Sequence, residues 1–156
     1  MPGPPLAVAL IAWLHLAAAG LAAGLLLAEY WLCRRQPDRQ QVRLLGAADL
    51  GYLLALIGSL ATGLARLFYY GQDPAYYLSN RLFLLKMAIF LAIGMAAIVV
   101  NRQVLGWNRE ARSAPVFAPL TRDLERVRGL IALQAALWLL LPLPAVLVAR
   151  GFGSGT

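Results

Sequence analysis

Three side chains able to do chemistry, His15, Arg66 and Lys86, each sit inside an apolar run long enough to cross a bilayer. An ionisable group at that depth is expensive in hydrocarbon, so each must face a partner, a cavity or a nearby interface. The chain has one histidine, one cysteine and three methionines. That inventory excludes bis-histidine ligation within one chain and leaves too few soft ligands for a copper site. Nucleophilic catalysis is unsupported as well, because no Ser-His-Asp or Cys-His arrangement and no nucleotide-binding glycine loop is visible. The lone Cys33, beside Arg34 and Arg35, has no disulfide partner and reads as inert.

The polar groups fall on shared helix faces. His15, Ala22 and Glu29 are spaced by seven, as are Tyr52, Ser59 and Arg66, with Asp49 one turn before Tyr52. At 1.5 Å per residue, His15 lies ~14 Å in from Leu6, Lys86 ~10 Å in from Ser79 and Arg66 ~6 Å in from Tyr70, all from the same membrane side. Glu29 and Asp49 fall toward the other side, near Asn101. The expectation is two polar layers, a cationic one of His15, Arg66, Arg81 and Lys86 and an acidic one of Glu29 and Asp49. The only acid near the cationic layer is Asp73, in a connection, so an anionic or metal-centred ligand would settle that layer. The competing readings are ordinary: Arg66, Arg81 and Lys86 snorkel to the interface, and His15 is a neutral imidazole bonded to a neighbour. Glu29 and Asp49 either pair with Arg34, Arg35 or Arg43 or relay protons. Gln134 is read as interhelical glue.

These groups need a scaffold, and the composition defines it. Of 156 residues, 61% are hydrophobic and 13% charged, and the mean hydropathy is +0.68. Such values belong to membrane proteins. Four runs reach the ~20 apolar residues a spanning helix needs. The fold class expected is therefore an all-α four-transmembrane-helix bundle, a single domain over residues 1–156 with spans at about 6–33, 44–70, 80–101 and 128–149. Arg34, Arg35, Arg39 and Arg43 load the first connection and Arg102, Arg109, Arg112, Arg122, Arg126 and Arg128 the last. The middle connection has no Lys or Arg between Gly71 and Ser79, which puts it and both termini on the outer, periplasmic side of an inner membrane. The net charge of +7 is then an orientation signal, not a nucleic-acid footprint.

The first run has no Lys or Arg ahead of it and a basic cluster behind it, so it reads as a retained helix and not a cleaved signal peptide. Gly20, Gly24 and Ala28, then Ala55, Ser59 and Gly63, then Ala88, Ala92 and Ala96 form small-residue stripes suited to close helix packing or to an oligomer interface. Pro142 and Pro144 should kink the fourth span. Gly106 to Arg122, containing Pro115 and Pro119, reads as the longest connection with Trp107 as an interfacial anchor. Pro2, Pro4 and Pro5 read as an extended leader and Gly151 to Thr156 as a flexible tail.

The segment FYYGQDPAYYLSNRLFLLKMAIF (Phe68 to Phe90), with WLH at Trp13 to His15 and LATGLARLFY before the connection, resembles a family of small predicted bacterial inner-membrane proteins, a domain of unknown function. More distantly, a His early in the first span with a Lys early in the third is similar to protoporphyrinogen oxidases of the HemJ type, and more loosely to copper-resistance membrane domains. The oxidase resemblance implies a haem b or porphyrin site at His15 and Lys86. His15 would be the axial ligand to haem iron, with Lys86 or Arg66 meeting the second axial position or the propionates. An oxidoreductase activity would follow. The other class is a structural or assembly subunit, or a small carrier, without cofactor. Its partners would be the lipid bilayer and a second copy or another membrane subunit.

Overall fold

The computed structural model describes residues 4–70, 74–114 and 117–152. Pro2, Gly71, Asp73, Pro115 and the end of the expected tail from Gly153 lie outside the described residues. Six α-helices account for most of the described residues: α1 (Pro5–Leu32), α2 (Arg39–Ala65), α3 (Pro74–Ser79), α4 (Arg81–Ser113), α5 (Thr121–Leu140) and α6 (Pro142–Ala149). A π-helical turn, Arg66–Tyr70, continues α2. Four helical segments are long and apolar enough to cross a membrane, namely Pro5–Leu32, Arg39–Tyr69, Arg81–Ser113 and Thr121–Val148.

Core positions repeat with the alternating spacing of three and four that keeps one face of a helix on its partner when the helices coil slightly about each other. On α2 they are Val42, Leu45, Asp49, Tyr52, Leu56 and Ser59; on α4, Ile93, Ala97, Val100, Val104, Trp107 and Ala111; on α5, Leu124, Val127, Ile131 and Gln134. α1 packs along α2, α2 on α4, α4 on α5, and α5 back on α1. The four spans thus close an antiparallel ring. Register between α1 and α2 follows from tight approaches. Gly51 faces Leu25, Gly58 faces Ala18 and Gly63 faces His15. Outward positions are large and apolar, such as Leu27, Leu54, Leu91 and Leu139. In lipid these gain nothing from burial, so packing contacts and polar bonds hold the helices together.

The two ends of the bundle are tied by polar side chains. At the arginine-rich end, Arg128 donates to the carbonyl oxygens of Cys33 (2.8 and 3.1 Å) and Arg34 (2.9 Å), a cation set at the C-terminus of α1. Asp38 caps α2, accepting from the Gln41 amide while the Gln41 side chain accepts from the Asp38 amide. Gln36 reaches the Pro119 carbonyl, joining two connections. At the opposite end the buried Asn80 caps α4 and donates through Nδ2 to the Phe152 carbonyl at 2.9 Å. Gly151, at a φ of 82°, makes the turn that brings Phe152 there.

Two expectations are corrected. α4 runs to Ser113, well past the expected end of its span, because its core spacing continues through Val104, Trp107 and Ala111. Trp107 is therefore a core residue, 2% exposed, and not an interfacial anchor. The middle connection carries the short helix α3, capped by its own Ser79 hydroxyl on the Tyr76 carbonyl. The stripe of Gly20, Gly24 and Ala28 faces outward, and a Cβ added at Gly20 or Gly24 would meet nothing within 4 Å. α1 instead buries Ala22, Leu26 and Glu29, the face that hides its acid. The fourth span breaks where its prolines require, with Leu141 between α5 and α6.

Gly20→Ala and Gly24→Ala are expected to leave thermal stability in detergent unchanged or raised by up to about 1 kcal/mol each, from helix propensity. Gly58→Val, whose methyls would enter the Ala18 contact, should cost about 1–3 kcal/mol. Thermal unfolding followed by circular dichroism checks both, and equal losses at Gly20 and Gly58 would contradict this packing.

Candidate functional site

Two polar layers stand out in the bundle, one toward each end. The layer nearer the α1 N-terminus surrounds a cavity of about 360 Å³, within the lower range of small-molecule sites. The cavity exists because its walls are built from small residues where a core normally has large ones: Ala19, Ser59, Gly63 and Ala145, with Pro142 at the helix break. Phe83, Met87, Phe90 and Trp138 supply flat and flexible apolar walls. Exposed side chains Leu16, Leu60, Leu64 and Val146 also line it, so it opens sideways toward the lipid-facing surface.

His15 and Lys86 both line this cavity. His15 Nδ1 is 2.9 Å from the Ser59 carbonyl oxygen and 3.1 Å from Thr62 Oγ1. A carbonyl only accepts, so Nδ1 carries the proton and donates to it. Thr62 spends its own hydroxyl proton on the carbonyls one turn back, Gly58 at 2.7 Å and Ser59 at 3.1 Å. The tautomer that results leaves Nε2 with its lone pair, the arrangement in which an imidazole ligates a metal while its other nitrogen holds the ring in place. The half-buried Lys86 has no hydrogen-bond partner among the described residues. Arg66 is not a lining residue; it opens the π-helical turn with its side chain exposed. Arg81, in the first turn of α4, is exposed too. His15 and Lys86 thus share one cavity, and the charge of Arg66 lies close enough to act on both from outside its lining.

The second layer lies toward the arginine-rich end. Glu29 (0% exposed) and Asp49 (1%) are buried side chains of α1 and α2. Asp49 Oδ2 accepts from Asn101 Nδ2. Asp49 Oδ1 and both Glu29 oxygens have no hydrogen-bond partner. Neither acid bonds Arg34, Arg35 or Arg43, which point outward and are exposed. The reason is rotational. Glu29 shares the face of Ala22 and Leu26, turned into the bundle, whereas the arginines lie beyond the helix end or on the outer face of α2.

A chain of hydrogen bonds lies between the layers. Trp138 Nε1 donates to Tyr52 Oη at 3.1 Å, and Tyr52 donates to Gln134 Oε1 at 2.9 Å. Gln134 thus bonds across the bundle, as interhelical glue should. Tyr52 and Trp138 were missed as partners in sequence reasoning. The signal for Tyr52 was its place between Asp49 and Ser59 in the core spacing of α2; for Trp138 it was the next core step, four residues after Gln134. No group of three or more His, Cys, Asp or Glu residues that could hold a metal ion is found among the described residues.

The fold and its buried polar layers define a polytopic helical membrane protein with four candidate spans. A family model of predicted membrane proteins of unknown function, DUF2214, matches residues 7–153, and the chain belongs to that family. Neither the curated proteins nor the solved structures contain a match to it.

Tyr52→Phe would leave Trp138 Nε1 and Gln134 Oε1 without partners in a buried layer, at a cost of about 1–3 kcal/mol. A melting temperature lowered by several degrees, with a changed tryptophan emission, is the expected outcome. An unchanged melting temperature would mean the hydroxyl contributes nothing to the packing.

Proposed function

We propose that this protein binds a haem or porphyrin in the cavity shared by His15 and Lys86. The observation that carries this reading is the fixed tautomer of His15, whose Nδ1–H is spent on the Ser59 carbonyl inside an apolar cavity. The donor set fits such a group. His15 Nε2 would be the axial ligand, the aromatic and aliphatic walls suit a flat apolar macrocycle, and Lys86 would pair with a propionate. The sideways opening matters because a tetrapyrrole is larger than the enclosed volume, and its edge would extend toward lipid. When bound, the group would supply one-electron redox chemistry, the basis for the protoporphyrinogen-oxidase-like activity suggested by the sequence resemblance.

The chain's own contributions are positional. Ser59 and Thr62 fix the imidazole ring, the small residues Ala19, Gly63 and Ala145 leave room beside it, and Phe90 and Trp138 keep water out. Lys86 needs an anion, since an ammonium in an apolar cavity loses several kcal/mol without one. The basic connections favour a bacterial inner membrane with the arginine-rich end in the cytoplasm, which would put the cavity in the outer half.

Protein purified in mild detergent from haem-replete cells should show a Soret band that shifts on reduction with dithionite. His15→Ala should abolish it. Gly63→Ala should move the band without removing it, because the added methyl would stand 3.2 Å from His15 Cε1 and tilt the ring. Lys86→Ala should weaken retention by roughly tenfold or more. A colourless protein after haem reconstitution overturns the reading and leaves a cofactor-free assembly subunit or carrier as the alternative.

A further inference from the structure

The buried acids Glu29 and Asp49 do not line the His15 cavity and have no counter-ion among the described residues, which sets a problem the helices alone do not solve. Two ionised carboxylates in the same low-dielectric layer repel each other, and each has lost its water. Asp49 has one amide donor, from Asn101, and Glu29 has none. Groups near the pair are Cys33 at the end of α1, Tyr52 on α2 and Asn101 on α4, with Arg128 of α5 beside Cys33. Arg128 spends its guanidinium on the Cys33 and Arg34 carbonyls. Tyr52 donates to Gln134, not to an acid. Something absent from the side-chain inventory must therefore supply positive charge.

Two supplies are chemically possible, a metal cation or a proton, and the donor set separates them. A hard cation wants about six oxygen ligands. Here the free oxygens are three, two on Glu29 and one on Asp49. Moreover, the buried polar atom left over on α5 is a donor. Because Tyr52 occupies Gln134 Oε1, the Gln134 amide leaves its Nε2 hydrogens buried without a partner among the described residues. An N–H donor opposes a metal ion but complements a carboxylate oxygen or a water bridging to one.

We propose that Glu29 and Asp49 form a proton-binding site, a carboxyl pair that holds at least one exchangeable proton within the bundle. Binding is simple protonation: a proton arrives from the arginine-rich end, an O–H bond forms on one carboxyl, and the pair loses one negative charge. The site lies one turn from the end of α1, so water needs to penetrate only a short distance. The hydrogen-bonded chain toward the cavity does not extend this path, because an indole N–H such as that of Trp138 is a donor only and cannot pass a proton on. The site is therefore served from one end. This proposal does not rest on haem binding and stands or falls separately from it.

Infrared difference spectra and carbodiimide labelling test it on the full-length protein. In wild-type protein at neutral pH, a protonated-carboxyl C=O band is expected that disappears or shifts in Glu29→Gln or Asp49→Asn, both close in shape to the native side chains. Dicyclohexylcarbodiimide, which attacks protonated carboxyls in apolar surroundings, should modify the peptide containing Glu29 or Asp49. The labelling rate should fall about tenfold per pH unit once the pair loses its proton, and added sodium or calcium at fixed pH should leave it unchanged. Suppression by either cation at constant pH would overturn the proposal in favour of a metal site. Absence of any protonated-carboxyl band from the wild-type spectrum would overturn it even if the variants fail to fold.

Discussion

Hydrocarbon offers no hydrogen bonds, and that constraint orders the whole bundle. Backbone groups meet it by forming helices, and polar side chains meet it by turning inward. α1 could bury either its small-residue stripe or the face of His15, Ala22 and Glu29. Exposing Glu29 to lipid would cost far more than the close packing of Gly20 and Gly24 could return, so the acid decides the rotation of the helix. The same preference turns Asp49, Tyr52 and Ser59 of α2 toward the centre. Once both helices are rotated this way, the small residues of α2 face α1 and bring the two backbones close.

The buried polar residues occupy core positions in the three-and-four repeat. In a packed helical bundle, a polar residue at such a position fixes register at some cost in stability. Asn101 on Asp49, Gln134 on Tyr52 and His15 on the Ser59 carbonyl each lock a different helix pair. These three bonds span α2 to α4, α2 to α5 and α1 to α2. Helix α2 is common to all of them, which makes it the element against which the others are aligned. The diagonal bond from Tyr52 to Gln134 also separates the lipid-opened cavity from the enclosed acidic layer.

The two layers differ in how their polar groups are satisfied, and that difference explains their chemistry. His15 is held by a backbone carbonyl and keeps one nitrogen toward an open, apolar space, a geometry suited to a ligand that arrives from outside. Glu29 is held by nothing and lies in an enclosed layer, a geometry suited to something as small as a proton. The first holds a cavity because that half of the bundle uses small residues and a proline break where the other half uses Leu26, Leu45, Val100, Val104 and Ile131.

Composition and run length sufficed for the class of protein, a helical chain with four apolar spans, because a bilayer imposes its thickness directly on the sequence. The spacing by seven of His15, Ala22 and Glu29, and of Tyr52 and Ser59, was equally legible, since helical periodicity is local, as was the shared depth of Asp49 and Asn101. What local spacing cannot carry is which helix lies beside which and at what rotation. Only the tertiary structure kept Arg66 out of the cavity lining, turned Gly20 and Gly24 outward, buried Trp107, left Glu29 without an arginine partner and joined Trp138 to Tyr52. Each of those outcomes depends on competition between faces of the same helix, settled by the cost of leaving a polar group in lipid, and that cost is defined only when all four helices are in place.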